Sequence, residues 1–290
     1  MIYGVMDIGS NSVRLLLSDG KNALENKLVR VTQLSEKLAL TNNLQKDAME
    51  RTIKTIEEFY KFAKEKGANK IFVFATECVR KAENKEVFLK ALKEKGIIVD
   101  VIPKEMEAYI GFYGAYFGGK PCVMDIGGAS TELAIGTKDN IQYKQSVDMG
   151  IVRLKDLCGE NPEKLNELIL CKQKEYGKIP DFDELIAIGG TAASYKAIEL
   201  SLEEYDPSII DYSKLYYKDI KEIVEIIHAT KIEDRVKIKG MHPKRTDVIV
   251  CGGYLILKMM EMLKRDYLII RESDNQEGYL KYKLGEIKTL

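Results

Sequence analysis

Apolar positions in this chain fall into short runs that end on an acid and a turn of small residues. Residues 2–6 are largely apolar and lead to Asp7, and residues 122–124 are apolar and lead to Asp125. Runs this short, bounded by Gly and Ser, predict buried strands entering tight turns. Each is followed by a second apolar run, over 13–18 and 131–135, which predicts its hairpin partner. Residues 27–33 carry enough β-branched side chains for a third strand. Across residues 45–66, Met49, Ile53, Ile56, Phe59, Tyr60 and Ala63 recur at helical spacing, and Gly67 supplies a stop. Strands are predicted over 71–75 and 97–101, and helices over 84–95 and 104–117. After Gly118, Gly119 and Lys120 the order begins again. It gives strands over 122–126, 131–135 and 141–147, helices near 150–157 and over 162–174, a strand over 185–188, a turn at Gly189, Gly190 and Thr191, and a helix over 192–200. Helices over 217–228, 232–237 and 245–263, a strand over 268–270 and a helix over 275–284 complete the pattern.

The repeated β-β-β-α-β-α unit, with one turn after Asp7 and its copy after Asp125, predicts an α/β fold of two ribonuclease-H-like domains. The hinge at residues 118–120 divides them into an N-terminal domain over 1–118 and a C-terminal domain over 119–290 with a helical extension. Turns rich in Gly and Ser bring successive backbone N–H groups close to an anion. A carboxylate at the strand end repels a bare phosphate, so Asp7 and Asp125 make sense with a divalent cation between acid and phosphate. The alternative for both is a turn-capping Asx motif, which the shared design of the two turns disfavours. Glu107 sits at the start of a helix, where the macrodipole favours an acid, and Glu105 beside it reads as a first-turn charge. Ala108, Gly111, Ala115 and Gly118 form a strip of small residues on that helix. Interior glycines cost about 1 kcal/mol each relative to alanine, so a close backbone neighbour is expected there.

Composition narrows the partners. The 290 residues suffice for about two domains of roughly 150 residues each, and a 45% hydrophobic content supplies a sizeable core. Lys+Arg and Asp+Glu cancel at 45 each, so no global basic field argues for a nucleic-acid polymer. The five cysteines are scattered and form no C-x-x-C pair; Cys78, Cys122 and Cys251 lie in or beside apolar runs and read as small buried hydrophobes. His228 and His242 share no ligand-like spacing. Free thiols point to a reducing cytoplasm. The first residues carry no secretory pattern, and the longest charge-free stretch, residues 108–119, is too short to span a bilayer. A cytoplasmic protein with no membrane partner is expected.

With both turns and their order in view, the chain resembles the exopolyphosphatase/guanosine pentaphosphate phosphatase family, within the acetate kinase, sugar kinase, heat-shock-chaperone and actin superfamily. The resemblance covers nearly the whole chain. It rests on residues 7–15 (DIGSNSVRL), 75–84 (ATECVRKAEN), 105–108 (EMEA), 125–133 (DIGGASTEL), 149–154 (MGIVRL) and 188–192 (IGGTA), with weaker echoes over 245–257 (RTDVIVCGGYLIL) and 271–279 (RESDNQEGY). DIGSNS with its R-L tail is specific to the family, whereas DxGGxST marks only the superfamily. One departure is Ala129, which stands where the family usually has a third glycine. If that position needs φ > 0, alanine costs on the order of 1 kcal/mol.

The resemblance implies two actin-like ATPase domains with an interdomain active-site cleft. It makes Glu107 the catalytic residue that positions and activates the attacking water. It assigns phosphate binding to Ser10, Asn11, Ser12, Arg80, Gly127, Gly128, Ala129, Ser130 and Thr131. Mg²⁺ or another divalent cation is expected on Asp125 and Asp7, with Glu132 as a supporting acid. Gly189, Gly190 and Thr191 are expected to form a nucleotide or chain-phosphate turn. Arg14 is left open between a phosphate contact and a structural role. The implied chemistry is Mg-dependent release of terminal orthophosphate from inorganic polyphosphate, or conversion of guanosine pentaphosphate to tetraphosphate. Either molecule would be the partner, and a homodimer is left open. A superfamily kinase would need a pocket for a hydroxyl or carboxylate acceptor, which the sequence does not display. A nucleotide-driven actin-like assembly protein would form filaments. A chain ending at Leu290 fits the short, two-domain form.

Overall fold

The first apolar run forms Tyr3–Ile8 (β1), turns through residues 9–11, and returns antiparallel as Ser12–Ser18 (β2). Leu28–Val31 (β3) continues the meander, and Lys70–Ala75 (β4) and Asp100–Val101 (β5) extend the sheet in parallel on the far side of β1. The order is β3-β2-β1-β4-β5. Helix Lys46–Glu65 buries Ile56, Phe59 and Ala63 into one core with Met6, Ile8, Leu15 and Leu17.

The same plan recurs. Cys122–Ile126 (β6), Thr131–Gly136 (β7) and Ile141–Val147 (β8) form the second meander. Leu185–Ile188 (β9) pairs parallel with β6; Lys214–Tyr216 (β10) is an antiparallel edge, and Tyr267–Arg271 (β11) lies between β10 and β9. The order is β10-β11-β9-β6-β7-β8. An antiparallel three-strand meander continued by parallel crossover strands is the ribonuclease-H-like layout of actin-like ATPase domains, and it is present twice.

The computed structural model describes residues 1–287. They form two compact units, Met1–Gly114 together with the segment beginning at Asn275, and Ala115–Asp274. The chain therefore changes unit at 114/115, upstream of the Gly118 hinge, and again at 274/275. Helix Asn275–Lys283, expected with the second domain, completes the first. Gln276 Nε2 donates to the Val5 carbonyl at 2.7 Å, and the Tyr279 ring lies 4.4 Å from that of Phe74. Close backbone approach to helix Lys104–Ala115 comes from this element: a Cβ on Gly278 would stand 1.8 Å from the Ile110 carbonyl oxygen.

Element bounds differ where a local pattern was overruled. The strand expected over 97–101 is paired only at β5, and the helix expected from 245 begins at Ile249, after a separate 3₁₀ turn at Pro243–Arg245. Residues 232–237 are 3₁₀ rather than α. Strand β10 and the short helices Leu38–Thr41, Glu77–Lys81 and Pro207–Ile210 were not expected. Cys78, Cys122 and Cys251 are buried as free thiols, and burial pushes Cys78 and Cys251 up to about 12. Among the described residues no helix is long and apolar enough to cross a membrane.

Candidate active site

Asp7 and Asp125 stand at matching places in two copies of one hairpin. Behind each, the turn closes the same way: Gly9 N donates to Ser12 O and Gly127 N donates to Ser130 O, both at 3.0 Å. Further bonds hold the carbonyls of each turn from one side. In the first unit, Ser35 N donates to Ser10 O at 3.0 Å, while Thr32 N and Gln33 N donate to Asn11 O at 3.0 and 2.9 Å. In the second, the opening of helix Ile151–Cys158 does this work. Ile151 N donates to Gly127 O at 3.0 Å, and Val152 N and Arg153 N donate to Gly128 O at 2.8 and 3.1 Å. A Cβ on Gly150 would lie 2.4 Å from Ala129 N, so only glycine lets the helix come this close. Ala129 is not among the left-handed residues, and its side chain is buried without backbone strain.

The charges beside the two acids are opposite. Across the first hairpin Asp7 pairs in register with Arg14, whose Nε donates to Asp7 Oδ2 at 3.1 Å and whose Nη2 bonds the same oxygen. Across the second, Asp125 pairs in register with Glu132. Glu132 is buried, and the Ser146 hydroxyl on β8 donates to its Oε1 at 2.5 Å. Thr131 is fixed at both polar ends: its hydroxyl bonds the Met149 carbonyl, and its own carbonyl accepts from the Tyr176 hydroxyl at 2.8 Å. Burial, with the Glu132 charge behind it, raises Tyr176 well above the ordinary tyrosine value and keeps it a donor. Gly189, at φ 86°, opens helix Gly190–Glu199 against Asp125, where a Cβ would meet Oδ1 at 3.0 Å. The Thr191 hydroxyl reaches the Ile126 carbonyl at 3.4 Å, and the Arg245 guanidinium fills the space over Gly190.

Glu107 belongs to the first unit. It is 6% exposed, at the start of helix Lys104–Ala115, and the Arg80 guanidinium lies 3.3 Å from its Oε2 through both terminal nitrogens. Arg80 is fixed in turn by the Ile102 carbonyl at 2.7 Å. Cys78 sits beside Ser10, with the charges of Glu77 and Glu107 nearby, and its raised pKa makes it an inert thiol there. The first unit thus brings Ser10, Asn11, Arg80 and Glu107 onto neighbouring elements. The second brings together Asp125, Glu132, the Gly127–Thr131 turn and the Gly189 turn.

The sequence profile of the Ppx/GppA phosphatase family matches residues 24–286. The chain belongs to that family. A bifunctional 3-dehydroquinate synthase/phosphatase of Fusobacterium nucleatum is 30% identical over 301 residues, which are 94% of this chain and 45% of that protein. Exopolyphosphatase 2 of Mycobacterium tuberculosis is 25% identical over 305 residues, covering 94% of this chain and 95% of that one. The solved structure of the Aquifex aeolicus Ppx/GppA family member, 31% identical, superposes with a TM-score of 0.79 over 100% of this chain and 99% of that chain.

Four neighbours of the turns, Arg14, Ser146, Arg153 and Arg245, had no role assigned from the motifs. Arg14 and Glu132 hold equal positions in the two repeats, so the reversal of charge was visible in the letters R and E. Ser146 gave no signal, because its bond to Glu132 depends on the pairing of β7 with β8. Arg153 stood in a motif, and Arg245 in a weak echo, but their partners at Ala129 and Gly190 lie far along the chain.

Proposed function

We propose that this Ppx/GppA protein is a phosphoanhydride hydrolase that removes the terminal orthophosphate from inorganic polyphosphate or from guanosine pentaphosphate. The observation that carries the reading is Glu107, a buried carboxylate held 3.3 Å from Arg80 in the unit that also carries the Ser10–Ser12 turn. The guanidinium offsets part of the penalty of burying the charge and fixes the carboxylate's orientation. A carboxylate so held can orient a water and take its proton as the phosphoanhydride breaks. In the first unit the hydroxyls and turn N–H groups of Ser10, Asn11 and Ser12, and in the second those of residues 127–131, are of the kind that stabilises charge spreading over phosphoryl oxygens. The same Arg80 is the positive group of the set and is able to grip phosphate.

A divalent cation fits the second hairpin better than the first. Like charges facing across a ladder are unfavourable, and Asp125 faces Glu132, whereas Asp7 already holds Arg14. We therefore assign Mg²⁺, or another divalent cation, to Asp125 with Glu132 rather than to Asp7. Two carboxylates suit an ion that keeps water and phosphate oxygens as its other ligands. When bound, the ion would neutralise developing phosphoryl charge. All five cysteines are free, which supports a reducing, cytoplasmic setting.

The test is orthophosphate release from polyphosphates of several lengths, guanosine pentaphosphate and ATP, each with and without Mg²⁺. Glu107→Gln is expected to lower release by about 10³-fold with substrate binding retained. Near-normal turnover by that variant would remove Glu107 from the mechanism. Release from ATP alone would favour a superfamily kinase or an assembly protein.

A further inference from the structure

The motif over residues 149–154 has no part in the chemistry above, yet it lies directly under the second turn. A trans peptide holds its C=O and the next residue's N–H on opposite sides, so pinning one carbonyl aims the following N–H the other way. The bonds from Ile151 N to Gly127 O, and from Val152 N and Arg153 N to Gly128 O, therefore aim the N–H groups of Gly128 and Ala129 away from helix Ile151–Cys158. The third peptide plane is held differently. Ala129 O accepts from the Arg153 side chain, Nε, at 3.0 Å. Among the described residues, no backbone carbonyl accepts from the N–H of Gly128, Ala129 or Ser130. Three consecutive donors so arranged form an anion-binding nest, and the third depends on a side chain.

We propose that Arg153 is a positioning residue for this nest: by holding the Ala129 carbonyl it aims the Ser130 N–H at a bound phosphoryl oxyanion. The proposal rests on the phosphate-binding role given to the turn above. Arg153 acts through the Ala129–Ser130 peptide. The other two planes are held by backbone bonds that no side-chain substitution removes. Without Arg153 one plane can rotate while its neighbours stay fixed, so the loss should be confined to one donor.

An orthophosphate titration of ¹⁵N-labelled wild type, Arg153→Ala and Arg153→Lys reads each donor separately. In the wild type the amide resonances of Gly128, Ala129 and Ser130 should all move. In Arg153→Ala the Ser130 response should be lost and the other two kept, with orthophosphate bound about tenfold more weakly. Arg153→Lys retains one side-chain donor and should recover most of the response. Polyphosphate release by Arg153→Ala should fall about 10²-fold in kcat with KM little changed. A Ser130 response equal in wild type and Arg153→Ala overturns the proposal, as does a wild type whose three amides ignore orthophosphate. Were Arg153→Ala too unstable to study, Arg153→Lys decides: a Ser130 response lost together with those of Gly128 and Ala129 would mark a merely structural arginine and overturn it. A wild type that binds orthophosphate at these amides but cleaves neither proposed substrate would sink the hydrolase reading and leave the nest standing.

Discussion

Asp7 and Asp125 end equivalent strands, yet the side chain opposite each is a guanidinium in one hairpin and a carboxylate in the other. A guanidinium already bonds Asp7, whereas two acids facing across a ladder repel each other, and a cation between them relieves that. Glu132→Gln should weaken Mn²⁺ binding more than about tenfold, while Asp7→Asn should leave it nearly unchanged, as measured by isothermal titration. Equal loss from both variants would return Asp7 to the metal site. The Asp-Gly-Ser pattern made both turns legible in the sequence, because small residues and an acid at a strand end have few other uses. The difference between the turns is legible too, in Arg14 against Glu132, seven residues after each acid. The Ser146 hydroxyl was not legible, since a serine on a strand names no partner until the strands pair. The position of Ala129 could be settled only by backbone geometry, which shows no left-handed requirement there.

At the level of elements, β6 and β9 were legible to the residue, because an apolar run closed by a glycine leaves little choice of ends, and β8 because its alternating residues lie between Asn140 and Asp148. The 232–249 region was less so, and Arg235 explains why. This arginine is 2% exposed and spends its donors on distant acceptors. It bonds Glu160 at 2.5 and 2.7 Å, the Ile227 and Thr230 carbonyls at 3.0 Å, and the Thr246 carbonyl at 2.8 Å. It thereby ties the end of helix Tyr217–Ala229 to the turn at Ile232–Lys237 and to the segment before helix Ile249–Leu263. No periodicity encodes such a clamp. Arg235→Met should destabilise the protein by about 3–5 kcal/mol in urea unfolding, because Glu160 and three carbonyls lose their shared donor. A change below about 1 kcal/mol would mean that water replaces the guanidinium without penalty.

Across the whole molecule, buried acids of high pKa set an alkaline limit. Cys78 and Cys251 are pushed by burial from 9.0 up to about 12, Cys122 is raised as well, and Tyr176 and Tyr195 are raised well above 10.0. Above about pH 9 the unfolded chain releases thiol protons that the native state keeps, so the unfolded state binds fewer protons and stability falls as pH rises. Each such thiol should contribute a slope of about 1.4 kcal/mol per pH unit until native titration begins near pH 12. Chemical denaturation between pH 8 and 11 checks this, and replacing Cys78 with alanine should make the decline shallower. The discontinuous first unit bears on synthesis as well. A ribosome delivers β1 to helix Lys104–Ala115 early but releases Asn275–Lys283 only after all of Ala115–Asp274. At about 5–20 residues per second that interval is roughly ten to thirty seconds. Throughout it the Val5 carbonyl and the Phe74 ring wait for Gln276 and Tyr279. The unit that starts second on the chain is the first whose contacts are all available to a nascent polypeptide.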